Sequence, residues 1–431
     1  MTSFATSVAV LGIVLIIGAL ASGLADRSLL SLAALFVVAG FIVGRGGLGW
    51  IQMRARSGFV IDLAFVALIV ILLRDGLEVD GEMLQRAWRL PLRKLVLAMP
   101  LTVAAIALTA RVLLTFSWTD ALLIGALLSP TDPVLTSSVV TNPRVPRVVR
   151  HSLNLESGLN DGLALPAVLT FAAAAGDNGG DFVWWHFVLQ DLGLGLLFGL
   201  CCGWLASVLL PGGAEGPSRG PIRPLVLALR RRRAARPRRS MAAHQKSLYL
   251  LGAAFATYGL TALSPEGNGF IAVFVAAIVL GLRRRDLAVS FAQRGGETVE
   301  LVKVGIFIVV GSLLSLEALA REGWLTVPFV AIVFVLARPG AVWLALIGTR
   351  TDHASRLFMG WFGPKGVATV TFSLLVLSRR LASGGRIFDL TATVVLCSIL
   401  LHGATDTHGA EWMANRTSQP APQRRQGRGL A

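Results

Sequence analysis

Residues 119–141 read TDALLIGALLSPTDPVLTSSVVT, an apolar run carrying the interruption Ser129-Pro130-Thr131-Asp132-Pro133 at its middle. A hydrocarbon core of about 30 Å is crossed by roughly 20 residues of helix, which this run supplies. Two prolines either side of a Thr-Asp pair remove backbone donors and disfavour helix in the residues before them. Unwound backbone and an aspartate at mid-membrane are tolerated only where protein buries them or a water-filled cavity takes them up. The run therefore belongs to a bundle of spans, not to a lone anchor.

The rest of the chain agrees. Of its 431 residues, 54% are hydrophobic and 15% are charged, against roughly 25% charged in soluble domains. The charges crowd into short stretches between apolar runs. The fold class expected is an all-α polytopic membrane protein with about thirteen transmembrane helices. The spans run near 4–24, 28–44, 58–78, 92–114, 119–141, 151–175, 182–210, 245–263, 267–282, 297–318, 324–348, 355–378 and 387–404. No basic residue precedes the first run, which reads as a retained helix and not a cleaved signal peptide. Cys201, Cys202 and Cys397 lie inside apolar runs, match no metal spacing and read as packing residues. The loop 211–244 is rich in Pro, Gly and Arg, and the polar tail from about 411 is expected to be disordered.

The net charge of +16 comes largely from arginines at span ends and from the cluster Arg230–Arg233, Arg236, Arg238 and Arg239. No aromatic residues interleave with that cluster to stack bases, so nucleic acid is not expected as a partner. Anchoring against the anionic lipid bilayer is. Basic loops after spans 3, 5, 7, 9 and 11, including Arg86, Arg89, Arg93 and Lys94, place the N-terminus outside and the C-terminus in the cytoplasm. The loops with Arg45, Arg54 and Arg56, and with Arg379, Arg380 and Arg386, dissent.

Thirteen spans divide into six, a linker and six, with the two halves oppositely oriented, as inverted repeats require. The fifth span of each half is broken: span 5 as above, and span 12 at Gly363-Pro364-Lys365-Gly366. Paired breaks at corresponding positions point to an ion site. Span 6 opens with Asn154-Leu155-Glu156-Ser157-Gly158-Leu159-Asn160-Asp161-Gly162. Ser157 and Asp161 are four apart and share a helix face, and Glu156 and Asn160 share a neighbouring one. Two carboxylates, a hydroxyl and an amide in under two turns are expensive in a membrane. A cytoplasmic loop is the bland alternative, since Arg150 and His151 lie just before.

Arg338 lies in an apolar run and needs an intramembrane partner, either Glu156 or Asp132. Lys365 offsets carbonyl dipoles at the crossing or pairs with Glu156. Lys303, near Glu300, is expected to snorkel to the inner surface. No Walker A pattern is present, no cofactor is implied, and His151, His186, His244, His353, His402 and His408 are scattered without catalytic or metal spacing. An enzyme is not expected.

Thr131-Asp132-Pro133, Glu156-Ser157-Gly158-Leu159-Asn160-Asp161-Gly162, Ala337-Arg338-Pro339 and Trp361-Phe362-Gly363-Pro364-Lys365-Gly366 together resemble the monovalent cation:proton antiporters of the NhaP-like, sodium/proton exchanger group. The resemblance covers roughly residues 5–405, and it implies a homodimer in the plasma membrane. Residues 1–90 would belong to a dimerisation domain. Residues 91–178 and 323–406 would form an ion-carrying core, and 179–322 a linker helix, the basic loop and further dimerisation helices. Residues 407–431 would be a cytoplasmic tail.

The resemblance also implies roles. Asp161 would take either a proton or a cation, and Asp132, Thr131 and Ser157 would complete an oxygen cage suited to a hard monovalent cation. Asn160 would hold the broken backbone of span 5, and Glu156 would pair with Arg338. Lys365 stands where the group more often has arginine. Proton and cation, excluding each other at one site, would be coupled by competition as the core moves like an elevator. With Asn160 unable to titrate, one-for-one electroneutral exchange is expected. Na⁺ is the first expectation, with K⁺ or Li⁺ as alternatives and a cation channel as a less favoured reading. Arg74 occupies the place where some relatives have a span-3 glutamate ligand.

Overall fold

The computed structural model of the chain describes residues 32–79, 89–132, 137–176, 183–210, 241–263, 267–315 and 320–417, with Gly12, Ile16 and Glu317. Apart from Gly12 and Ile16, the first expected span lies outside these residues, as does almost all of the 211–244 loop. The described elements are helices: α1 (Leu32–Val43), α2 (Gly58–Leu77), α3 (Arg89–Leu114), α4 (Trp118–Leu128), α5 (Ser137–Thr141), α6 (Arg147–Gly176), α7 (Val188–Leu209), α8 (Ala243–Leu263), α9 (Gly269–Arg283), α10 (Arg285–Arg294), α11 (Gly296–Leu313), α12 (Gly323–Ala345), α13 (His353–Trp361), α14 (Val367–Ser378) and α15 (Gly384–Thr417). Among the described residues, α3, α6, α7, α12 and α15 are long and apolar enough to cross a membrane, and shorter apolar helices include α1, α4, α9 and α14.

Local chemistry sets the helix ends. Ser117 caps α4 by accepting from the Asp120 amide at 3.1 Å, and Asp352 caps α13 through the Ser355 amide at 3.2 Å. α4 ends at Leu128, just ahead of Pro130, and α13 ends at Trp361, ahead of Pro364, as the steric restriction before proline requires. The two broken spans are thereby split into α4 and α5, and into α13 and α14.

α3 and α12 share a second device. Each contains a π-helical turn, Lys94–Ala98 and Val333–Ala337, ending two residues before a proline, Pro100 and Pro339. A proline inside a helix strands the carbonyl four residues back, and a widened turn accommodates the loss while shifting the register of the side chains beside it.

The chain forms two compact units, one from Met1–Leu68, Met83–Trp184 and Val302–Ala431, the other from Ile69–Glu82 and Trp185–Leu301. In the first, α3 packs on α4, α4 on α6, α12 on α3 and α13, and α14 on α4, α6 and α15. In the second, α7 packs on α9, and α8 on α9 and α10. Gly195, Gly199 and Gly203 let α7 approach α9 so closely that a Cβ at Gly199 would lie 2.7 Å from the Ala272 carbonyl oxygen, the small-residue packing expected of helices in lipid.

Three expectations are corrected. α15 continues through Thr417, so helix replaces the disordered tail expected from about 411 over residues 411–417. Ala410 and Met413 are buried in an apolar cluster with Val139, Val149, Phe358 and Met359, and Trp412 stacks on Phe358 at 6.3 Å. Burial of one face holds a helix whose composition alone would not. Residues 285–294, read as a basic loop, form α10. Its Asp286 lies 3.1 Å from Lys246 and 2.9 Å from Arg284, and Leu287 and Phe291 are buried. Lys94, read as a loop charge, is fully buried.

Two of the arginines that dissent from the charge-based topology are paired. Arg386 grips Glu322 through Nε and Nη2 at 2.5 and 2.6 Å and donates to the Leu114 carbonyl at 2.6 Å. Arg45 lies 3.9 Å from Glu317.

Candidate functional site

The two breaks meet in the first unit. The Asp132 amide, in the break after α4, donates to the Pro364 carbonyl in the break after α13 at 2.9 Å. Each break leaves helix-end groups without intrahelical partners, and side chains supply them. On α6, Ser157 Oγ donates to the Thr131 carbonyl at 2.9 Å. Asn160 Nδ2 donates to that carbonyl at 3.1 Å and to Thr131 Oγ1 at 2.8 Å. The i, i+3 spacing presents both to the same stretch of backbone. Lys365 is fully buried, and its ammonium reaches the Ser129 and Pro130 carbonyls at 3.4 and 3.3 Å. A cation at the carbonyl end of α4 opposes the negative pole of that helix.

The glycines of the second break are there for space. A Cβ on Gly366 would fall 2.3 Å from Asp132 Cβ, and one on Gly363 would fall 1.8 Å from Arg338 Nε. Only a bare α-carbon lets the strand of the break lie against the aspartate and the guanidinium.

Beside the crossing is a buried charge cluster. Glu156 receives Arg338 Nη2 on Oε1 at 3.0 Å and the Lys94 ammonium on Oε2. Lys94 also approaches Ser152 Oγ at 3.3 Å. Both cations come from a residue inside or directly after the π turns of α3 and α12. Lys365 is engaged with carbonyls and does not take the alternative place beside Glu156, although the fields of Glu156, Asp161 and Arg338 all act on it. Asp132 has its own cation: Lys303 of α11, buried, with Nζ 3.7 Å from Oδ2. The expectation that Lys303 snorkels to the surface is therefore corrected. It turns inward because a buried carboxylate is there to meet it.

The structure thus gathers Thr131, Asp132, Ser157, Asn160 and Lys365 at one crossing and joins Glu156 to Arg338. Asp161 sits one turn beyond Ser157 on α6 and is buried. Arg74 spends its charge on Glu78 at 2.8 Å, one turn along its own helix. Sequence reading placed neither Lys94, taken as a loop charge, nor Lys303, taken as snorkelling to the surface, beside these carboxylates. For Lys94 a signal existed, the matching prolines Pro100 and Pro339 in the fourth span of each half, with a cation before each.

Comparison with known proteins settles the family. The sequence matches the family described as sodium/hydrogen exchanger, transmembrane, over residues 11–212 and 219–408. The chain belongs to the sodium/hydrogen exchanger family. Among its curated relatives, the K(+)/H(+) antiporter NhaP2 of Shewanella oneidensis is 26% identical over 404 residues, covering 91% of this chain and 64% of the relative. The K(+)/H(+) antiporter NhaP of Alkalimonas amylolytica is 23% identical over 410 residues, covering 94% and 67%. This exchanger-family chain thus spans about two thirds of the length of such relatives, 64% for NhaP2. The sodium proton antiporter MjNhaP1 of Methanocaldococcus jannaschii has the same fold, with a TM-score of 0.73 at 18% identity, covering 96% of this chain and 100% of that one.

Proposed function

We propose that this protein is a secondary active antiporter that exchanges a monovalent cation for a proton, with Asp161 as the carboxylate that takes one or the other. The observation that carries the reading is the anchoring of the first break to α6: Ser157 and Asn160 hold Thr131, and Asp161 follows on the same helix. Asp132, Thr131 and Ser157 supply the remaining oxygens for a hard cation. Because proton and cation compete for one carboxylate, neither flux proceeds without the other, and no nucleotide or cofactor is required. Glu156 with Arg338, and Asn160, serve the architecture of the site.

Asn160 has no proton to release, which supports one-for-one, electroneutral exchange. Na⁺ is the first reading for the cation. K⁺ is the second, favoured by the names of the curated relatives. The core formed by 91–178 and 323–406 moves as an elevator against a dimerisation domain built from 1–90 and 179–322. The protein works as a homodimer in the plasma membrane, with its N-terminus outside and its C-terminus inside.

The test is dye-monitored exchange in proteoliposomes, with Na⁺, K⁺ and Li⁺ pulses across a range of pH. Exchange is expected from the parent protein and none from Asp161→Asn. Exchange by Asp161→Asn at the parental rate would overturn the assignment, and a rate that follows an imposed voltage would overturn electroneutrality.

A further inference from the structure

The second break is held by a chain of hydrogen bonds from α15 to which the exchange reading gives no role. The Lys365 amide donates to Ser398 Oγ at 2.7 Å. Ser398 Oγ lies 3.2 Å from His402 Nδ1, and His402 Nε2 lies 3.0 Å from the Trp361 carbonyl oxygen. His402 Nδ1 also faces the Ser398 carbonyl at 2.9 Å. Each ring nitrogen of His402 thus faces a carbonyl, Trp361 from Nε2 and Ser398 from Nδ1, and the tautomer sets which of them receives the proton, while the Ser398 hydroxyl oxygen accepts from the Lys365 amide. The chain runs from an amide inside the break to the last helical carbonyl before it. Ser398 and His402 are buried, and Phe334 and Trp361 flank the imidazole at 5.6 and 5.7 Å.

The next turn of α15 extends the same grip. Thr405 Oγ1 accepts from Trp361 Nε1 at 3.2 Å. Asp406 accepts from the Ser138 and Val139 amides at 3.0 and 3.1 Å, where α5, the second half of the first broken span, begins. α15 therefore stands to the second break as α6 stands to the first. Each offers two polar side chains on one face, Ser157 and Asn160 in one case, Ser398 and His402 in the other. Slack in the second break would reach the site directly, because Pro364 holds the Asp132 amide and Lys365 holds the Ser129 and Pro130 carbonyls.

We propose that Ser398 and His402 are positioning residues of the cation site, which set the second break so that Asp132 and Lys365 stand where cation binding needs them. The inference rests on the exchange reading of Asp161. It is tested on the full chain in proteoliposomes by measuring KM for the exchanged cation and the maximal rate, alongside the melting midpoint in detergent. Ser398→Ala and His402→Leu are expected to raise the cation KM by about three- to tenfold, the change that corresponds to one lost hydrogen bond, with the maximal rate nearly kept. Ser398→Thr keeps the hydroxyl and His402→Gln keeps one donor and one acceptor, so both should return KM toward the parental value.

A parental KM in folded Ser398→Ala overturns the proposal. So does an equal loss in all four variants that follows their melting midpoints, which would mark a packing role alone. If His402→Leu does not fold, Ser398→Ala, which removes a single oxygen, carries the test. Asp161→Asn separates the two levels. If it exchanges, the exchange reading fails. If it is inactive while Ser398→Ala is parental, only the present inference fails.

Discussion

The Glu156 cluster allows a prediction in which one substitution changes sign. Lys94, Glu156 and Arg338 have side chains 0%, 6% and 7% exposed, so two cations share one carboxylate out of reach of bulk water. Glu156→Gln leaves both cations facing an amide. Removing one partner of a buried pair costs about 3–5 kcal/mol because a bare charge is left behind. Here two are left, so the upper part of that range is expected. Lys94→Met leaves Glu156 paired one-to-one with Arg338. The loss is that of hydrogen bonds to a charged partner, roughly 1.5–3 kcal/mol, with no bare charge. In the Glu156→Gln background the same Lys94→Met removes a bare cation and should stabilise.

The assay is unfolding of detergent-purified protein followed by the fluorescence of its 10 tryptophans, for the parent, both single variants and the double variant. Stability should fall in the order parent, Lys94→Met, double variant, Glu156→Gln. If Lys94→Met costs the same in both backgrounds, Lys94 and Glu156 are not coupled, and the cluster described above is wrong.

Gly363→Ala should displace the Arg338 guanidinium, destabilising by about 1–3 kcal/mol as overpacking does; a melting midpoint equal to the parent's would refute the contact. Lys303→Met removes the ammonium beside Asp132 and should lower the cation KM at alkaline pH, which proteoliposome titrations would reveal as a shift relative to the parent. Asp286 pairs with Arg284 and Lys246; partial burial raises its carboxyl, but hydrogen bonds from Arg284 and Lys246 outweigh this and hold it below its ordinary value. A depressed carboxylate contributes stability that is present above its unfolded pKa and lost as pH falls through the folded one. The parent should therefore lose this contribution in acid, and Asp286→Asn should lack that acid-dependent step in a melting series across pH.

What the sequence could and could not reveal follows from the kind of signal involved. The breaks at Pro130, Pro133 and Pro364 are legible because proline acts on its own backbone, whatever surrounds it. Family membership was legible for a related reason, since the breaks and the Glu156–Gly162 stretch occur in a fixed order along the chain. Lys94 and Lys303 were not legible as site neighbours. Each sits near the end of an apolar run, where a lysine can turn outward to water or inward to a carboxylate, and the choice depends on helices far away in sequence. The helical stretch 411–417 was hidden in the same way. Its polar letters describe one face, while Met413 and Ala414 on the other are buried by partners that no local window contains.

Lys365 has a consequence beyond the geometry of the break. The Ser129 and Pro130 carbonyls face a side-chain amine that is covalently attached and cannot leave the site. A crossing braced by a mobile ion would loosen whenever that ion became scarce on either side of the membrane. Here the brace has fixed occupancy, and being buried it is also spared screening by bulk salt. The crossing is thus braced at those two carbonyls by a group of the chain itself and not by a metal ion drawn from the medium.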